Sequence, residues 1–219
     1  MSSPHRSDHG LRGPLLLAAL ALAALVALAA PATTSLDRVP LRGAGDLADS
    51  IGVVTHGSYA DTPYADGDRV LSALKSLGIR HVRDGVSAGR DERLVRYLQK
   101  LGSAGIRFAL VTGPPDGSRG SVDQLLAAVR ERLRTSVESI EGLNEYDLGG
   151  GPDWAARATD YQRELYGKAK ADPALRDVPI LAPSVGRPAD TGALRELRPF
   201  ADDGNLHLYP GGLPPSAAE

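Results

Sequence analysis

Side chains able to move protons or hold a substrate are densest in Ser139-Ile140-Glu141-Gly142-Leu143-Asn144-Glu145-Tyr146-Asp147. An apolar, strand-like run arrives from Val137, the polar pair Asn144-Glu145 stands where it stops, and Gly149-Gly150-Gly151-Pro152 breaks the chain before a helix. A strand fixes a carboxyl at its C-terminal end, and apolar surroundings at such a mouth favour the protonated form. A general acid needs both conditions, and a neighbouring amide offers donors and an acceptor for a bound hydroxyl. Standing alone, an Asn-Glu pair is more commonly a strand running out into a solvated turn. The reading therefore depends on which other polar groups reach the same place.

Several do. His56 and Tyr59 follow an apolar run over 51–54, Arg83 closes an alternating run over 79–84, and His207 and Tyr209 occupy a run over 205–210. Residues two apart on a strand face the same way, so His207 and Tyr209 share a side. Arg83 adjoins Asp84, and a local ion pair is its plain alternative role. His81 reads as packed between strand and helix, and Trp154 as docking the helix that it opens. His56, His81 and His207 show no His-x-x-x-His or His-x-His spacing, so no metal site is expected.

The elements that must position these residues recur as one phrase. Val70, Leu71, Leu74 and Leu77 mark a helix ended by Gly78, and a strand follows over 79–84. Leu94, Leu98 and Leu101 mark the next helix, closed by Gly102 or Gly105, with a strand over 106–111. Gly78-Ile79-Arg80 reappears as Gly105-Ile106-Arg107, each time between helix and strand. Ser121 and Gln124 form a capping box that opens a helix bearing Val122, Leu125, Leu126 and Val129. Further elements are a strand over 137–143, a helix over 154–170, a strand over 178–182, a shorter helix around Ala193, Leu194 and Leu197, and a sixth strand over 205–210. Residues 33–50 form an irregular lead-in, and 213–219 a Pro- and Ala-rich tail. About six βα units with compact connections imply parallel strands with helices outside. That leaves an open doubly wound sheet or a (β/α)₈ (TIM) barrel missing its final quarter. Thr55-His56-Gly57-Ser58-Tyr59 lacks the spaced glycines of a dinucleotide site. The polar residues cluster after the first, second, fourth and sixth strands, which share one mouth in a barrel and lie apart in an open sheet. The incomplete α/β barrel over 51–212 therefore accounts for more.

Composition narrows the function classes. The chain has 219 residues with a formal net charge of −2, so no basic field invites nucleic acid. It has no cysteine, which removes disulfides, thiolate metal sites and a cysteine nucleophile. Arg6 and Arg12 precede an unbroken Leu, Ala and Val run from Leu15 to Ala30, with small-residue cleavage sites at Ala27-Leu28-Ala29 and Ala30-Pro31-Ala32. Residues 1–32 thus read as a signal peptide, with a retained signal anchor as the alternative, and the mature protein as secreted or extracytoplasmic. No membrane association beyond that export signal is expected.

The chain resembles the glycoside hydrolases of clan A, the (β/α)₈ retaining glycosidases that include cellulases, mannanases and xylosidases. In that clan the fourth strand ends in Asn-Glu, as it does here in Asn144-Glu145. The resemblance implies Glu145 as general acid/base and Asn144 as holder of the sugar 2-hydroxyl. It further implies Arg83 as the arginine ending strand 2, and His207-Leu208-Tyr209 as the His-x-Tyr of strand 6. His56 is a further candidate sugar contact. The implied substrate is a β-linked polysaccharide or oligosaccharide, and no cofactor is implied. The clan places its nucleophile glutamate on strand 7, whereas the elements recognised here stop at strand 6. Glu138 and Glu141 lie on strand 4, Glu196 on a helix and Glu219 in coil, and none is expected to serve. The chain accordingly reads as an incomplete version of a longer hydrolase, inactive by itself. A non-catalytic carbohydrate-binding or surface protein with a degenerate barrel is the alternative.

Overall fold

The computed structural model describes residues 43–88 and 92–207. The expected signal peptide, most of the lead-in, Tyr209 and the tail lie outside them. Within them run strands β1 (Gly52–Val54), β2 (His81–Gly85), β3 (Arg107–Val111), β4 (Val137–Glu141) and β5 (Ile180–Leu181). The helices are α1 (Ala44–Asp49), α2 (Gly67–Ser76), α3 (Glu92–Ser103), α4 (Val122–Ala128) and α5 (Trp154–Ala171).

All strands pair in parallel, in the order β1-β2-β3-β4-β5. Because strand order follows chain order, right-handed crossovers carry the connections over one face. A doubly wound sheet needs the order to reverse at a switch point, and these strands show no reversal. The protein is an α/β protein with a singly wound parallel sheet, compatible with part of a barrel.

Local sequence explains the elements. Asp66 caps α2, its carboxylate accepting from the Asp68 and Arg69 amides at 3.1 and 3.0 Å. The Ser121–Gln124 capping box closes in both directions at 3.3 and 3.0 Å. Gly78 and Gly105 take positive φ, +68° and +93°, just past α2 and α3, which lets the chain turn directly into the next strand. Pro173 disfavours helix at Asp172, whose ψ of 117° ends α5.

Alternation then sorts the sheet into two faces. Val82, Phe108, Leu110, Ile140 and Ile180 are buried in one core with Leu94, Leu98 and Leu101 of α3, Leu125 of α4 and Leu165 of α5. Each such side chain contributes about 1.5–3 kcal/mol by leaving water. The opposite face carries His81, Arg83, Ala109, Ser139 and Glu141, which is polar for a parallel sheet.

Three expectations change. The described part of the lead-in is not irregular but forms α1. The segment containing Ala193, Leu194 and Leu197 is a 3-10 helix over Pro188–Phe200. Leu194, Leu197 and Phe200 recur every third residue, the period at which side chains line up in a 3-10 helix. The sixth strand is not formed over 205–207. The contact nearest to it is a single parallel bridge between Leu181 and Asp203, and 208–210 lie outside the described residues.

Candidate active site

Arg83 leaves β2 on the polar face and meets β4 rather than its chain neighbour. Its Nε and Nη2 donate to Glu141 Oε2 and Oε1, both at 2.6 Å, a two-pronged charged pair. The alternative role, an ion pair with Asp84, is not what the pairing shows, because adjacent strand residues face opposite sides. Glu141 is 1% exposed at its side chain and Arg83 25%. A carboxylate so deeply buried needs a counter-charge and hydrogen bonds, and the guanidinium supplies both.

Nη2 of Arg83 also donates to Asn144 Oδ1 at 2.6 Å. Arginine can only donate, so this contact fixes which way the amide points. The Asn144 oxygen accepts from Arg83, which leaves the two N–H donors of this exposed residue for a bound hydroxyl. Sequence reasoning assigned Glu141 no role, yet it holds Arg83, which in turn orients Asn144. The available signal was a charged residue within a buried parallel strand, which implies an opposite charge on a neighbouring strand.

Glu145 follows in the left-handed region, at φ 46° and ψ 41°, and is the one non-glycine residue with positive φ among those described. Its amide donates to Ser184 O at 3.1 Å, and the Ser184 amide donates back to Leu143 O at 3.0 Å. The tip of β4 is thereby laced to the exit of β5. Asp147 adds a second lacing, accepting from the Gly186 and Arg187 amides at 2.9 and 3.0 Å. The Glu145 carboxylate meets His207 Nδ1 at 2.7 Å, with side chains 17% and 14% exposed. A histidine ring nitrogen at this distance can donate to the carboxylate, which holds the Glu145 side chain in place.

The loop after β1 brings His56 to the same end of the sheet. Its ring stacks on Tyr59 with centroids 4.6 Å apart and 6° between planes, and meets Tyr64 edge-on at 5.6 Å. Asp84 holds that loop from beneath, accepting from Thr55 Oγ1 at 2.6 Å and the Gly57 amide at 2.9 Å. Burial pushes the Asp84 carboxyl above its ordinary value despite these donors.

His56, Tyr59, Arg83 and Asn144 line one hollow of about 160 Å³. A second of about 180 Å³, lined by Pro114, Leu143 and Tyr146, shares Val111, Arg119 and Asn144 with the first. Of the residues singled out in the sequence, Arg83, Asn144 and His56 thus meet around one cleft. Glu145 and His207 form an adjoining pair beyond Asn144, and Tyr209 lies outside the described residues. A larger hollow of about 510 Å³, mostly apolar, lies between β5 and the 3-10 segment and contains none of these side chains.

His81 is not packed between strand and helix. It lies lower on the polar face, its Nδ1 2.8 Å from Glu138 Oε2. The β3–β4 register slips between Phe108 and Ala109, leaving Glu138 as an extra residue whose side chain turns to this face. No group of three or more His, Cys, Asp or Glu side chains among the described residues is placed to hold a metal ion. No described helix is long and apolar enough to cross a membrane. No model of a known protein family matches the chain, and no curated protein matches it.

Proposed function

We propose that this protein is an exported glycoside hydrolase of the (β/α)₈ barrel type that cleaves β-linked glycans with retention. The observation carrying this reading is the junction at the tip of β4, where Arg83 orients Asn144 and the next residue, Glu145, shares a hydrogen bond with His207. In this role Glu145 protonates the leaving oxygen and later takes a proton from the attacking water, His207 accommodating the change. Asn144 holds the 2-hydroxyl with the amide donors left to it, and the stacked His56 and Tyr59 border the sugar. A retaining pair requires a second carboxyl about 5–5.5 Å away. Among the described residues Glu141 is the carboxylate paired with Arg83, and both its oxygens are committed to the guanidinium. The nucleophile in this reading comes from outside the described residues.

The test is hydrolysis of aryl β-glycosides by the product of the complete gene, with Glu145→Gln beside it. The expected result is turnover that first releases the retained anomer. Glu145→Gln should slow glycosides with poor leaving groups about 10²–10⁴-fold, and should slow dinitrophenyl glycosides far less, since those leave without protonation. Unchanged rates in Glu145→Gln, or an inverted first product, would sink the proposal. The engagement of both Glu141 oxygens by Arg83 favours a second reading, a non-catalytic carbohydrate-binding protein, which is the outcome if oligosaccharides bind but none is cleaved.

A further inference from the structure

Arg119 lies in the loop between β3 and α4, and that loop is tied to the tip of β2. The Arg119 carbonyl accepts from the Ala88 amide at 2.8 Å and from Ser87 Oγ at 3.4 Å. Its side chain lies over Gly85, where a Cβ would come within 2.8 Å of Nη1, so the guanidinium rests directly on backbone. This half-buried side chain lines both hollows of the cleft, together with Val111 and Asn144.

The charge accounting around it is uneven. Arg83 is neutralised by Glu141, Glu145 is paired with His207, and Asp84 is turned to Thr55 and Gly57. Asp116, on the same loop, is exposed and accepts from the Ser118 amide at 2.8 Å. Arg187 donates to Asp190 and to the Asp147 carbonyl, at 3.2 and 2.9 Å. The Arg119 guanidinium, unlike its carbonyl, has no hydrogen-bond or carboxylate partner among the described residues. A second guanidinium, Arg157, lies 5.4 Å from the centroid of Tyr146, a residue of the second hollow. The cleft therefore offers a forked positive charge with unfilled donors, shared by both hollows, in a chain whose overall charge is negative.

We propose that Arg119 binds an acidic group on the glycan, a carboxylate or a sulfate ester, so that the substrate class is an acidic β-glycan. This inference rests on the glycan reading of the site and narrows it. A guanidinium matches either group with two parallel hydrogen bonds, whereas a neutral sugar leaves its donors only hydroxyls to find.

The experiment titrates neutral cello-, manno- and laminari-oligosaccharides, each beside its C6-oxidised and C6-sulfated forms, into the protein at about 0.1 M salt. At that ionic strength charges beyond roughly 10 Å are screened, so long-range repulsion does not hide a local contact. On at least one backbone an acidic form should bind about tenfold tighter than its neutral parent. The tighter of the two acidic forms identifies the group. Arg119→Gln should bring that ratio close to one, and Arg119→Lys should keep part of it, as a point charge without the fork. Melting temperatures of both variants are measured alongside. Equal binding of acidic and neutral forms overturns the inference while leaving the glycan reading standing. A preference that survives Arg119→Gln also overturns it, as does an equal loss of both forms together with a lowered melting temperature. If no oligosaccharide binds at all, the glycan reading itself fails, and this inference with it.

Discussion

Arg83 is where the polar face is most tightly determined. It touches Glu141 with two nitrogens and Asn144 with one of the same pair, so removing it disturbs stability and amide orientation together. Arg83→Ala leaves the Glu141 carboxylate buried without a counter-charge, a loss of about 3–5 kcal/mol that urea denaturation will read directly. Arg83→Lys should cost less, since it keeps the charge but supplies no fork for Glu141 and Asn144 together. A midpoint for Arg83→Ala indistinguishable from that of the unaltered protein would mean the pair contributes nothing. Arg83 and Asn144 were legible in the sequence because each stands where a strand-like run ends. Glu141 was not, because three positions separate it from Asn144 and its importance lies on another strand. His81 was misplaced for a related reason. Its partner Glu138 faces it only through the slip between β3 and β4, and a bulge of one residue leaves no mark in hydrophobic spacing.

At the level of elements, the loop after β1 depends on Asp84 of β2. Burial is the largest influence on this carboxyl and raises it above the ordinary value of 3.8, with Thr55, Gly57 and Gly85 opposing. The folded state therefore binds that proton more tightly than the unfolded chain does. The contribution is to stabilise as pH falls through the raised value, complete below 3.8. Asp172, held low by its hydrogen bond to Arg130, works the other way and loses stability as pH falls. Comparison with a variant separates the two. Asp84→Asn should lack the acid-side gain, so its denaturation midpoint should decline more steeply than the parent's as the pH falls toward 3.8. Parallel pH profiles would count against a buried, raised carboxyl at this position. The helices and the first four strands could be read because Leu spacing, caps and glycines agree with one another. The region after β5 could not. Its apolar residues recur every three positions, and the parallel bridge from Leu181 to Asp203 precedes the run expected to pair.

For the molecule as a whole, the informative feature is that strand order follows chain order. It places the helices on one face and leaves the other to His81, Arg83, Ser139 and Glu141, a surface that a doubly wound protein would cover with helices. The repeat of Gly78-Ile79-Arg80 as Gly105-Ile106-Arg107 announced parallel βα units, but repetition alone does not say whether a sheet winds one way or two. On this scaffold the corner at Glu145 sets global stability against local chemistry. A left-handed backbone costs a side chain about 1–2 kcal/mol that glycine does not bear. Glu145→Ala and Glu145→Gly both delete the carboxyl and its contact with His207, so their difference isolates the backbone. Glycine should be the more stable by about 1 kcal/mol, measured by denaturation. A chain shaped for endurance alone would have carried glycine at this bend. That it carries an acid instead makes the bend a point where durability has been given up to keep a carboxyl in place.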